Sequence, residues 1–161
     1  MFKKLFKKSN DFAVLSPMNG RIVPIEDVPD PVFSEKMMGD GVAIWPKDGR
    51  VVAPVTGVVL HVPDSKHAIG LKTEDGTEVL IHVGLETVAL AGKGFTVHAS
   101  VGDQVEVGEL LLECDLAYIE EHASSMITPV VITEKANEKD EFVMSEHAEA
   151  KGGETTIMTR A

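Results

Sequence analysis

The sequence predicts an all-β fold, an antiparallel sandwich or barrel with internal duplication and short helical segments. Three observations predict it. Short apolar stretches bounded by glycine and proline recur about every 8 to 12 residues, the spacing of small sandwiches and barrels. Long helical periodicities, which a parallel α/β sheet would need, are missing. A strand-proline-glycine-strand pattern also occurs twice: V-L-S-P-M-N-G-R-I-V at 14–23 returns as V-A-P-V-T-G-V-V at 52–59.

In chain order, strands are expected at 12–15, 21–25, 42–45, 50–53, 58–62, 68–72 and 78–83. Others are expected at 109–113, 130–133, 142–144 and 155–158, the later ones closing the acidic tail from Glu134. In each copy of the repeat, proline fixes φ and removes a ladder donor while glycine permits positive φ, which reads as a hairpin-like unit. A further glycine-bounded β unit, G-D-Q-V-E-V-G-E-L, occupies 102–110. One short helix is expected, capped by Asp115 and burying Leu116, Ile119 and Ala123 while Glu120 and Glu121 face water.

A chain of 161 residues and 17.3 kDa fits one domain with its own core. That domain is expected at 12–161, after a basic segment at 1–11. Net charge is −11, and Lys3, Lys4, Lys7 and Lys8 stand ahead of the first acid, leaving −15 on the remainder. Such a surface excludes nucleic-acid binding through backbone phosphates. Phe2, Leu5 and Phe6 could share a helical face beside those lysines and make weak contact with anionic lipid. No apolar run approaches the roughly 18 residues of a membrane span, and the start lacks the core of a signal peptide, so a cytoplasmic protein is expected.

Of six histidines, His61, His98, His122 and His147 read as exposed or structurally satisfied. His67 and His82 are different. The T-E-D-G at 73–76 between them is a strong turn signal. If Lys72 pairs with Thr77, His67 falls directly across from His82, with Cβ atoms about 4.5–5.5 Å apart. Ile69, Leu71 and Leu80 then share their face, whereas a one-residue slip would separate the two imidazoles. A neutral imidazole can attack electrophilic phosphorus, and a second can bond the transferring oxygens. The same pair also makes half of a tetrahedral zinc shell, with His61 or Asp64 as a further ligand. The residues alone leave open a cross-strand pair without chemistry.

At these residues the sequence resembles the glucose-family enzyme IIA of the bacterial sugar phosphotransferase system. The matching stretches are S-P-M-N-G at 16–20, I-E-D-V-P-D-P-V-F at 25–33, M-G-D-G-V-A-I at 38–44 and A-P-V-T-G at 53–57. They continue with S-K-H-A-I at 65–69, I-H-V-G-L-E-T-V at 81–88, the run from 101 to 116, and T-P-V-V-I at 128–132. The resemblance implies a duplicated antiparallel β fold and a phosphocarrier. In it His82 accepts phosphate on Nε2 from phosphorylated HPr and passes it to a cysteine of a permease IIB domain. His67 would support the phosphoryl group, with Ser65, where many members have threonine, holding the His67 ring. Ile69, Leu71, Leu80, Glu86 and Val88 are the candidate partner interface, and the acidic domain matches a basic partner. The resemblance also implies regulatory targets among permeases, glycerol kinase and adenylate cyclase. No cofactor is required, although zinc could sit on His67 and His82 in a partner complex. Attachment to the inner face of the membrane would come through residues 1–8.

Two rival readings are weaker. A zinc hydrolase of related β architecture would want an H-x-H pair, but Val83 and Gly84 follow His82. A biotinyl or lipoyl carrier would want M-K-M, whereas Lys36 follows Ser34-Glu35. A-G-K-G at 91–94 lacks the ending of a phosphate-binding P-loop and reads as a turn. Cys114 reads as a structural buried thiol, and Trp45 as core or interface packing.

Overall fold

The computed structural model describes residues 12–161. The basic residues expected to touch lipid therefore lie outside the described residues. The strands are β1 (Ala13–Leu15), β2 (Gly20–Pro24), β3 (Asp40–Pro46), β4 (Arg50–Val52), β5 (Gly57–His61), β6 (Ala68–Lys72) and β7 (Glu78–His82). They continue as β8 (Phe95–Val97), β9 (Gln104–Val105), β10 (Leu110–Cys114), β11 (Thr128–Glu134), β12 (Phe142–Met144), β13 (Glu149–Ala150) and β14 (Thr156–Arg160). Two short α-helices, α1 (Pro31–Ser34) and α2 (Leu116–His122), and two 3-10 turns at Ile25–Asp27 and Thr87–Leu90 interrupt them. Three-residue β8 and two-residue β9 and β13 are too short to stand out as apolar runs; tertiary pairing alone makes them strands.

Every strand pairing is antiparallel. An eight-stranded sheet runs β13-β2-β3-β11-β7-β6-β5-β9, beside two three-stranded sheets, β1-β14-β12 and β4-β10-β8. The inner face of the large sheet buries Val42, Ile44, Ile69, Leu71, Val79, Ile81 and Val130. Val14, Ile157 and Met158 from one small sheet, and Val51, Leu111 and Leu112 from the other, complete that core. Each such large aliphatic side chain stabilises the fold by about 1.5–3 kcal/mol on burial. The tail from Glu134 supplies β12, β13 and β14, as its apolar pairs suggest.

The two copies of the sequence echo correct one expectation. Neither copy is a hairpin: β1 joins one small sheet and β4 the other, while β2 and β5 both enter the large sheet. The copies are bonded to each other reciprocally. The Leu15 N–H donates to the Pro54 carbonyl at 2.9 Å, and the Val52 N–H donates to the Pro17 carbonyl at 2.8 Å. Gly20 and Gly57 open the second strands with ordinary extended backbones, so positive φ is not their purpose. A Cβ on either would collide with a facing backbone carbonyl, that of Trp45 or of Lys72. Close strand approach is what selects glycine there.

The outer face of the large sheet is partly covered. The loop between β2 and β3 lays Ile25, Val28 and Phe33 over Ala43, Val131, Leu85 and Ile127 as a second small core. Within that loop Asp30 caps α1 by accepting the Val32 N–H, and Pro31 takes the first helical position, where its missing N–H costs nothing. α2 forms where the sequence predicts it, with the Asp115 carboxylate accepting the Tyr118 N–H and Ile119 fully buried. Trp45 is exposed on the outer face rather than packed in the core.

Candidate functional site

β6 and β7 form a hairpin whose turn is longer by one residue than the T-E-D-G signal suggests. The Thr73 N–H donates to the Thr77 carbonyl, and Lys72 pairs with Glu78. Ala68, not His67, therefore faces His82. The slip sends Ile69 and Leu71 to the inner face, fully buried with Val79 and Ile81, and removes both from any partner surface. Leu80 stays on the outer face with His82, half buried.

The two imidazoles still meet, for a different reason. His67 precedes the first ladder residue, and the chain reaches it through Lys66 at φ +60°, a left-handed backbone. Strict alternation no longer governs its side chain. The His67 carbonyl accepts the Val83 N–H at 2.7 Å, tying the end of β7 to the start of β6. The rings of His67 and His82 lie edge to face with centroids 4.8 Å apart, as the sequence expectation requires.

Each ring is held by its Nδ1. That of His82 is 2.8 Å from the Gly84 carbonyl oxygen, which can only accept, so Nδ1 carries the proton and the lone pair is left on Nε2. The carbonyl is aimed by Gly84 at φ +73°, where a Cβ would press on the Thr87 methyl and the Ser125 carbonyl. Buried Thr87 locks the same loop by donating to the Val83 carbonyl at 2.6 Å. On the other ring, Nδ1 of His67 lies 2.7 Å from the Ser65 hydroxyl.

Burial favours the uncharged form of both rings. It lowers His67 to about 4, helped by the charges of His82 and His61. It also lowers His82, opposed by the bond to Gly84 and by the Asp30 carboxylate. Both are neutral at pH 7. Phe33 leans over His82 with ring centroids 5.1 Å apart, and an apolar depression of about 370 Å³ lined by Met38, Leu60 and Leu80 adjoins the pair. Sequence reasoning gave Phe33 and Met38 no role. The D-P-V-F cap signature could have shown α1, but nothing local to the sequence says that this helix covers His82.

Around the pair, Val88 is 60% exposed and Glu86 is exposed at φ +59°, so both remain available to a partner. Among the described residues no group of three His, Cys, Asp or Glu side chains is placed to hold a metal ion. His61 and Asp64 do not complete a metal shell with the pair. Cys114 is partly buried; burial and the carboxylates of Asp48 and Asp115 push its thiol up to about 12. Lys36 is held between Glu26 and Asp40, each at 3.4 Å, which leaves it unlike a presented carrier lysine.

The model of the phosphoenolpyruvate-dependent sugar phosphotransferase system EIIA 1 family matches residues 12–138. A protein of Halalkalibacterium halodurans named PTS system glucose-specific EIIA component is 49% identical over 99% of this chain and 97% of its own. One of the same name from Staphylococcus aureus is 47% identical over 98% and 97%. The solved structure of glucose permease IIA from Mycoplasma capricolum superposes with a TM-score of 0.85 at 35% identity, covering 91% of this chain and 94% of that one.

Proposed function

The chain belongs to the phosphoenolpyruvate-dependent sugar phosphotransferase system EIIA 1 family, and from that premise we propose that His82 accepts the phosphoryl group, His67 steadies it, and the carrier serves a glucose-family permease. Members act as phosphocarriers, and this chain takes a phosphoryl group from phosphorylated HPr onto a histidine and hands it to a IIB domain.

The observation that carries the residue assignment is the bond from His82 Nδ1 to the Gly84 carbonyl. It frees the Nε2 lone pair to attack phosphorus in line, forming an N–P bond as the bond to the donor breaks and the donor leaves with its electron pair. When a IIB cysteine thiolate attacks in turn, the S–P bond forms and His82 recovers its lone pair. His82 keeps its Nδ1 proton on Gly84 throughout. If Ser65 donates to Nδ1 of His67, that ring carries its proton on Nε2 and offers it to a phosphoryl oxygen. The apolar surroundings strengthen this hydrogen bond and keep out competing water.

Leu80, Glu86 and Val88, with Met38 and Leu60, form the surface that a partner would cover. We read residues 12–161 as one cytoplasmic domain, with the basic segment at 1–11 supplying a weak lipid contact. The domain itself we read as two interlocked copies of one β unit. The reciprocal bonds of Leu15 and Val52 support this, as do the matching roles of Gly20 and Gly57. Strand order supports it too, because β13-β2-β3-β11 and β9-β5-β6-β7 run outward-in to the same centre.

Incubation with phosphoenolpyruvate, enzyme I and HPr tests the site. The wild type should gain one phosphoryl group and His82→Ala none. His67→Gln should still label but pass the group to IIB about a hundredfold more slowly, the usual loss for one donor to a transition-state oxygen. Normal labelling of His82→Ala would overturn the assignment.

A further inference from the structure

The sequence reads His61 as exposed or structurally satisfied, although strict alternation from buried Val59 would turn it inward. The ladder breaks step there: Val59 pairs with Leu71 and His61 with Gly70, leaving Leu60 as the extra residue of a bulge. A bulge re-aims the residues beyond it. Leu60 and His61 are accordingly both exposed on the outer face, the face of His82. Gly70 opposite has no side chain to contest the space; a Cβ there would lie 3.6 Å from the His61 Cβ.

His61, His67 and His82 thus line one depression. β5, β6 and β7 lie side by side at about 4.8 Å, and His82 is two residues along β7 from Leu80, the partner of Gly70. The Cα atoms of His61 and His82 are therefore about 12 Å apart, a gap that two imidazoles and a phosphoryl group can span. A protonated His61 is close enough to act on His67.

A phosphoryl group on His82 would bring nearly two negative charges into this depression. Among the described residues no lysine or arginine lines it, and Glu78 on β7 is the one acid that does. Charged groups on the neighbouring elements include Lys72 on β6, opposite Glu78 in the ladder, exposed Asp64 and Lys66 in the connection to β6, and Asp30, whose carboxylate acts on His82. β9, on the far flank of β5, offers Gln104 opposite Val58. His67 is buried and kept neutral, whereas His61 stands on the wet rim.

We propose that the His61 imidazole turns to the phosphoryl group on His82 and gives its outer oxygens a hydrogen bond and, when protonated, a positive charge. This role rests on His82 being the phosphoryl acceptor, and the test separates the two. The phosphorylated full chain is followed by ³¹P NMR between pH 5 and 8 as wild type and as His61→Phe, with His82→Ala treated in parallel. The phosphoryl resonance of the wild type should titrate about half a unit lower in pH than that of His61→Phe, since a nearby cation favours the dianion. Superimposable titrations would overturn the role of His61. A phosphoryl resonance surviving in His82→Ala would instead overturn the acceptor assignment.

Discussion

The hairpin of β6 and β7 is built on opposite plans at its two ends. At the turn, Asp75 accepts from the Thr73 hydroxyl at 2.6 Å, from the Thr77 hydroxyl at 2.9 Å and from the Arg160 guanidinium at 2.7 Å. Burial would raise the Asp75 carboxyl, yet these bonds hold it far below the usual carboxylate range. Arg160 also approaches Asp140 and lies over the Phe12 ring, so the last strand is fastened to the turn. At the open end, two imidazoles sit in apolar surroundings with no counter-ion among the described residues in hydrogen-bonding contact. One end has its charges matched in the resting protein. The other leaves its hydrogen-bonding capacity on two ring nitrogens to be met by something that arrives and leaves.

Separate variants at the two ends should therefore give separate phenotypes. The larger effect on stability belongs to the turn: Asp75→Ala should destabilise the fold by about 2 kcal/mol, because it strips several hydrogen bonds, the 2.7 Å bond from Arg160 among them. The carboxylate is partly exposed, which keeps the loss from being larger. Urea unfolding measures it, and phosphoryl transfer under native conditions should persist. A complete loss of transfer with an intact fold would show that the two ends are not independent.

A smaller effect separates the ends by pH. His67 titrates near 4 in the fold and near 6.5 in an unfolded chain. Between those values the unfolded chain binds a proton that the folded one refuses, so stability falls as pH drops from about 6.5 to 4. Lowering of His82 acts in the same direction. Asp75, also lowered, loses its contribution only in stronger acid. His67→Gln should flatten the slope of unfolding free energy across that window, while Asp75→Ala should leave the slope there unchanged. An unchanged slope in His67→Gln would mean that the ring is not kept neutral by the fold.

The same contrast explains what was legible in the sequence. Strand positions were, because glycine, proline and short apolar runs act locally: Ala68–Lys72 and Phe142–Met144 fall where expected. The meeting of His67 and His82 was legible too, but through a register one residue out. The turn takes Thr77 as a fifth residue, which no local signal announces, and that slip is what misplaces Ile69 and Leu71. The left-handed backbone of Lys66 then returns His67 to the outer face. Lysine does not advertise such a conformation. Phe33 over His82 depends on a contact between segments far apart in the chain, and the bulge that exposes His61 is set by how β5 pairs with β6.

The central claim is that the Gly84 carbonyl fixes the His82 proton on Nδ1 and so leaves Nε2 to take phosphorus. Long-range ¹H–¹⁵N NMR of the histidine side chains, before and after phosphorylation, tests it most directly. The account predicts an Nδ1–H tautomer for His82 in the resting protein and an N–P bond at Nε2 in the phosphorylated one. A resting Nε2–H tautomer, or phosphorus on Nδ1, would contradict it.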